Sequence, residues 1–466
     1  MQPSTETAGV PQTALILFLS LAPFAVTTDF SMIGIVLPRI GAEFNMGSAA
    51  LSGLVAINAL VYAALLMAAG RMADLLGQRF SCTAGLVVFA LGTLLVMLSM
   101  SFPVLLGARA LQGAGAALIS PATFSLINTA VREGPNRRRA YRMFGSFQGA
   151  SMIAGPVLGG WLTTEFGWRS AYLLELCVAV VLLASIRRIV PEPGARTGTG
   201  GFDWAGAVLI AAGITMFVAA VSGIGGIPLS SLQRSTAAAL AVLIFLALAQ
   251  VERKSASPLL PPSVIRHPRV LTSSIGMAAA MAASTAFFLL PNVIMQQVLG
   301  WSAAAAGLGM LPHACAAMLA GQATGPLMGR QSLPRNISLA FGIIIAALLL
   351  YAWLRQPLSY AGSVLIPMLL GGFGSLLALM MMMADGAASV QVHEQGVFSA
   401  LAYTSQQIGI AVGSAVLLSA AGTAANGTLI AALREAFCIA AAIAAIGLCV
   451  AVGLRQLQGR DTAQAG

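Results

Sequence analysis

The chain has 466 residues, of which 58% are hydrophobic and only 8% charged, and its mean hydropathy is +0.89. Soluble domains carry about 25% charged residues, so this composition excludes a water-soluble globular fold. The net charge of +10 would suit nucleic acid, but the chain has a single lysine, Lys254, and its arginines gather in short loops between apolar runs. That is the positive-inside pattern of a polytopic helical membrane protein, so the expected surroundings are a lipid bilayer, with no nucleic-acid partner.

Residues 1–13 contain Glu6 and no basic residue. The apolar run that follows is too long for the core of a cleaved signal, so it reads as a retained first span. Fourteen apolar runs follow one another, roughly 14–38, 49–69, 80–100, 104–130, 143–163, 170–186, 204–224, 235–251, 270–298, 302–328, 336–354, 360–384, 397–421 and 436–454. Each is near the ~20 residues a bilayer requires. An even number of spans puts both termini on one side. With that side inside, the inner loops hold 18 Lys and Arg and the outer loops 5. The expectation is cytoplasmic termini in a bacterial inner membrane. Cys82, Cys177, Cys315, Cys438 and Cys449 lie within these runs without metal-type spacing, and read as packing residues.

Span 1 contains Asp29, ~22 Å from its inner end and ~14 Å from its outer end by helical rise. An acid at that depth is costly and reads as a functional group; the alternative is a capped or ion-paired acid. The stretch Gly70 to Arg79, GRMADLLGQR, reads as a polar turn between spans 2 and 3. Gly77 supplies the tight bend, and Asp74, held by Arg71, Arg79 or a helix N-terminus, suits a latch. Span 4 places Arg109 ~8 Å from the outer end, within reach of Asp29 if their faces meet. Gln112, Gly113 and Gly115 follow, the glycines admitting a close neighbour. In span 5, Gly149, Gly155, Gly159 and Gly160 form a flat face, and Pro156 bends the helix. Glu175 in span 6, ~8 Å deep, fits two readings: a second proton site, or an acid paired with an arginine.

Residues 187–206, RRIVPEPGARTGTGGFDWAG, are linker-like, and spans 7 and 8 are poor in polar residues. The division expected is a tail 1–13, a six-helix bundle 14–190, linkers with two extra spans 191–269, a second bundle 270–455 and a tail 456–466. The second bundle repeats the first: Gly325, Gly329 and Arg330 stand roughly where Gly70, Gly77 and Arg79 stand, without the acid. Such parallel repeats place a binding site at the midplane. Candidate cavity residues are Gln112, Asn292, Gln296, His313, Tyr403 and Gln406. Met380 to Met383 read as packing or lipid-facing rather than as a drug surface. Asp385, His393 and Glu394 have no metal-ligand spacing. No nucleophile–base set or phosphate loop suggests an enzyme.

Four motifs occur in order: Asp29 with Leu37-Pro38, GRMADLLGQR, Arg109-x-x-Gln112-Gly113, and Gly155-Pro156-x-x-Gly159-Gly160. With Phe202-Asp203-Trp204 opening span 7, the chain resembles the fourteen-span drug:proton antiporter branch of the major facilitator superfamily over nearly its whole length. The resemblance implies an all-α fold of two six-helix bundles with two extra spans between them. It also implies a cofactor-free monomeric exporter of amphipathic or apolar compounds, driven by the proton gradient. Asp29, Arg109 and Glu175 would serve proton coupling. Gly70, Arg71, Asp74, Gly77 and Arg79 would form the cytoplasmic gate, and Gly113, Gly155, Pro156, Gly159 and Gly160 the packing and hinge surfaces. The chain departs from the family pattern at Ser31, Gly34, Gln78, Glu175 and Gln406. Those departures favour the alternative of an exporter dedicated to one self-made metabolite, such as a siderophore or antibiotic. A proton-coupled importer would share the fold.

Overall fold

The computed structural model describes residues 11–46, 48–191, 203–222, 229–255, 258, 260–301, 303–330, 332–353, 358–422 and 429–464. The described residues are helical, with short connections, because a chain in lipid must satisfy its backbone groups internally. The first half runs through α1 (Gln12–Phe44), α2 (Ser48–Leu76), α3 (Gln78–Leu98), α4 (Phe102–Thr129), α5 (Pro135–Phe166) and α6 (Trp168–Ile189). Next come α7 (Trp204–Ser222), α8 (Ser231–Lys254) and the one-turn α9 (Pro262–Ile265). The second half comprises α10 (Pro268–Val293), α11 (Ala303–Gly309), α12 (Leu311–Arg330), α13 (Leu333–Ala352), α14 (Ile366–Ala387), α15 (Gln395–Gly422) and α16 (Leu429–Gln464). Among the described residues, ten helices are long and apolar enough to cross a membrane by themselves. The short α11 leads into α12, and α5, α7, α12 and α15 bring the long helices among the described residues to fourteen.

The helices depart from the apolar runs where hydropathy and hydrogen bonding end at different residues. The stretch read as a polar turn is helical as far as Leu76, and Gly77 alone (φ 99°) separates α2 from α3. Arg71, Met72, Ala73, Asp74, Leu75 and Leu76 include good helix formers, so α2 outlasts its apolar run. Likewise α5 starts at Pro135 rather than near 143, with Gly134 (φ 88°) before it and proline in its first turn. The run 302–328 is two helices, parted at Met310. Of the cysteines read as packing residues, Cys82 is buried, whereas Cys177, Cys315, Cys438 and Cys449 are exposed on the outer faces of their helices. Met380 to Met383 are buried, which makes them core. Residues 192–202, most of the expected first linker, fall outside the described residues.

The halves meet along two seams. The second helix of the first half, α2, packs on the fifth of the second, α15. The fifth of the first half, α5, packs on the second of the second, α12. The two contacts exchange under a two-fold relation, as parallel repeats require. The extra helices α7 and α8 pack on each other, and α7 rests on both α2 and α15.

Where an even-numbered helix of the first half gives way to the next, the helix ends and connections hold Arg71, Arg79, Arg132, Arg137, Arg138, Arg139, Arg142, Arg187 and Arg188, and define an arginine-rich end. The close approaches between halves lie at that end or at mid-helix. Gly70 meets Gly396 and Ala400, Gly145 meets Gly321 and Met380, Gly149 meets Met318, and Gly325 meets Arg138. The molecule is therefore closed at its arginine-rich end.

Candidate functional site

Asp29 on α1 and Arg109 on α4 are 1% and 0% exposed and form an ion pair through Nη1 of Arg109 and Oδ1 of Asp29. Glycines let α4 nest against the neighbours that complete the site. A Cβ at Gly113 would collide with the backbone of Asn58 on α2, and one at Gly115 with the backbone of Phe89 on α3. The pair sits in a buried polar network. Nη1 of Arg109 also donates to Oε1 of Gln112 (2.7 Å), and Nε2 of Gln112 donates to Oγ1 of Thr93 (2.9 Å). Nδ2 of Asn58 donates to the other Asp29 oxygen (3.3 Å). A buried ion pair is stabilised only when its remaining donors and acceptors are also met, and removing one partner strands the other charge.

Here the network is incomplete. Nε and Nη2 of Arg109, both carboxyl oxygens of Glu175 and the Tyr172 hydroxyl are buried and have no hydrogen-bond partner among the described residues. Glu175, 1% exposed on α6, lies close enough to interact electrostatically with both Asp29 and Arg109. One arginine with two unused donors thus shares a dry cluster with two acids, only one of which it holds. In such a buried cluster the protonation of either acid changes the electrostatic balance of the other two groups, so the three are coupled.

At the arginine-rich end, Asp74 is 6% exposed and accepts hydrogen bonds from the backbone N–H groups of Gly396 and Val397, each at 2.9 Å. These are among the first amides of α15, which have no partner within their own helix. A carboxylate of one half therefore caps a helix of the other, adding charge-assisted bonds to attraction by the helix dipole. Gly70 and Gly396 make the approach possible, because a Cβ at either would strike the other helix's backbone. Arg71 interacts electrostatically with Asp74. Nη2 of Arg79 donates instead to the carbonyl of Arg187 (3.2 Å), near the end of α6.

On α5, a Cβ at Gly155 would strike Ser31 and the backbone of α1, and one at Gly159 would strike Met32. Gly160 meets only Ile35 at ordinary contact distance. Pro156 lies inside the helix, and Ser31 Oγ donates to the carbonyl of Ser151 (2.8 Å) across the same contact. The candidate cavity residues do not converge on one pocket. Gln112 is enclosed in the arginine network. Asn292 and Gln296 bond to each other (2.9 Å) at the end of α10, where Gln296 is exposed. His313 is buried between Phe287 and Phe288 within the second half. Tyr403 and Gln406 are buried on α15, with Nε2 of Gln406 4.0 Å from the sulfur of Met383. Asn58, Thr93 and Tyr172 were missed by sequence reasoning; polar residues inside otherwise apolar spans were the available signal.

Two repeated helix bundles, the first holding a buried ion pair and joined to the second at one end by a cross-half cap, define a membrane transporter of the alternating-access class. Residues 19–414 match the Major Facilitator Superfamily, and the chain belongs to that family. It is 33% identical to a cephamycin export protein of Amycolatopsis lactamdurans, over 91% of this chain and 88% of that one. It is 30% identical to a puromycin resistance protein of Streptomyces alboniger, over 87% of this chain and 81% of that one. The crystal structure of the human organic anion transporter MFSD10 superposes with a TM-score of 0.67 at 14% identity, covering 94% of this chain and 98% of that one, and shares the fold.

Proposed function

We propose that the chain is a proton-coupled secondary exporter of amphipathic or apolar organic compounds. It works as a monomer in a bacterial inner membrane, with both termini in the cytoplasm, and needs no cofactor beyond the proton gradient. The observation that carries the proposal is the buried Asp29–Arg109 pair beside an unpaired Glu175. Relatives named for export and resistance, among them a multidrug efflux pump of Mycolicibacterium smegmatis, support the direction. The arginine-rich end supports a cytoplasmic side for the closure, and with that orientation this conformation faces outward.

In the proposed cycle a proton from outside neutralises Asp29. Arg109 loses its counter-charge and must find another, in Glu175 or in a rearranged α1–α4 contact. Protonation shifts the balance of halves only if it favours one state over the other, and an arginine stranded in one state supplies that difference. The Asp74 cap holds the inner end closed until the halves rock apart. A reading narrower in substrate, export of one self-made compound, is favoured by the relatives named for cephamycin and puromycin.

The test is pH-gradient-driven uptake of a dye or antibiotic into inverted proteoliposomes. Asp29→Asn should fall to the protein-free background while expressing normally, and Glu175→Gln should keep at least partial coupled transport. Full gradient-driven transport by Asp29→Asn would remove Asp29 as the obligatory proton site. Proton release on substrate addition, measured across pH, separates the two acids further: loss of release in both variants would mean they titrate as a pair.

A further inference from the structure

The two-fold relation between the seams exposes an unfilled position. On the α2–α15 seam, Gly70 abuts the backbone oxygen of Gly396, and Asp74, one helical turn further on, caps α15. On the α5–α12 seam, Gly325 abuts the backbone oxygen of Arg138 in the same way. Arg138 therefore stands where Gly396 stands, and residue 329, one turn beyond Gly325, stands where Asp74 stands. It is a glycine. The first turn of α5 accordingly has no carboxylate from α12, no acidic residue of its own and no side-chain cap.

In that place is a cavity of about 500 Å³ lined by Pro135, Arg138, Arg139, Arg142, Gly325 and Pro326. Arg138, Arg139 and Arg142 share one face of α5 by their helical spacing. None of them has a carboxylate partner among the described residues, and Nε of Arg142 is buried without any partner. A neighbouring arginine, Arg137, is paired with Glu133 (2.9 Å) and faces elsewhere. The site thus combines an uncapped helix start, the cavity-lining arginines Arg138 and Arg142, and a formed cavity, while Arg139 at its edge donates to Oγ1 of Thr13 (3.4 Å). Its twin on the other seam already holds an anion.

We propose that this cavity is a binding site for the phosphate headgroup of an anionic phospholipid, which bridges the halves at the arginine-rich end. Arg142 lies ~10 Å along α5 from Pro135 by helical rise, at the depth of the headgroup–acyl boundary. A soluble anion reaches that depth only by leaving water, whereas a lipid headgroup resides there at high local concentration. The proline and glycine walls suit a glycerol ester, and basic pockets between helices on this side of a membrane favour anionic headgroups. Because α12 supplies one wall, the cavity exists only while the seam is shut, so the lipid favours the closed end.

The experiment is native mass spectrometry of the full chain released from nanodiscs of mixed phosphatidylcholine and phosphatidylglycerol. The wild type should retain phosphatidylglycerol selectively. Arg138→Gln with Arg142→Gln should lose that selectivity by about fivefold for each arginine removed. Arg138→Lys with Arg142→Lys, which keeps the charge, should retain most of it and controls for folding. Spin labels at the arginine-rich ends of α5 and α12 should report a larger closed population in phosphatidylglycerol than in pure phosphatidylcholine. Equal retention of both lipids by the wild type would overturn the site. So would displacement of the lipid by millimolar glycerol phosphate, which would reassign the cavity to soluble anions. Neither readout involves transport, so failure here leaves the exporter reading standing.

Discussion

The two seams that join the halves are closed by different means. On α2–α15 a carboxylate crosses from one half to cap a helix of the other, with Gly70 and Gly396 allowing backbone contact beneath it. On α5–α12 the closure is steric: Gly145, Gly149, Gly321 and Gly325 bring backbones together, and no side chain crosses with a charge among the described residues. A charged cap can be released by a change in one group. A glycine zipper gives way only when the helices part. The first seam is suited to switching, and the second to fixing how closely the halves can approach.

The largest effect should come from filling the steric seam. A Cβ at Gly321 would collide with the backbone of Gly145 and Ser146. Overpacking costs about 1–3 kcal/mol, so Gly321→Val should lower the closed population at the arginine-rich end by roughly 5- to 150-fold and nearly abolish turnover. Double electron–electron resonance distances across the ends of α5 and α12 check it; an unchanged distribution would break the steric account.

Asp74→Asn should act next most strongly. It removes the charge and one acceptor, turning an amide donor toward amide donors. Hydrogen bonds to charged groups are worth about 1.5–3 kcal/mol, so the same distances across α2 and α15 should shift toward opening by roughly 10- to 150-fold, with substrate affinity unchanged. An unchanged distance distribution together with normal transport would remove the latch.

The smallest and sharpest change would make the seams alike. Gly329→Asp should supply the missing carboxylate and cap α5. A helix-terminal charge contributes about 0.3–1 kcal/mol, so closure should strengthen by only about two- to fivefold. The same variant should displace the anionic lipid; an unaltered lipid complement would show that the two-fold does not relate these positions.

The sequence announced some of this because charge inside an apolar run cannot hide. Asp29, Arg109 and Glu175 stood out on depth alone, and helical rise put all three toward one end. Whether they met depended on the rotational phase of α1, α4 and α6, which apolar runs do not encode. Glu175 was left open between a second proton site and an acid paired with an arginine; it lies near both Asp29 and Arg109 without a hydrogen bond to either. Asp74 was recognisable as a latch, but its partners are backbone amides 322 and 323 residues away. Backbone donors carry no residue signature, so a helix N-terminus stood beside Arg71 and Arg79 as an expected partner, but which helix supplied it was not legible. The length of α2 was misread for a related reason: hydropathy marks where the bilayer ends, and the helix continues past it to Leu76.

The placement of α7 makes these seams unequal toward the membrane as well. Because α7 lies against both α2 and α15, it shutters that seam from the surrounding acyl chains, while α5 and α12 have no such cover from the extra pair. A molecule dissolved in the bilayer therefore meets two doorways of different kinds when the halves separate. One opens behind a screen onto α7; the other opens sideways, directly to lipid.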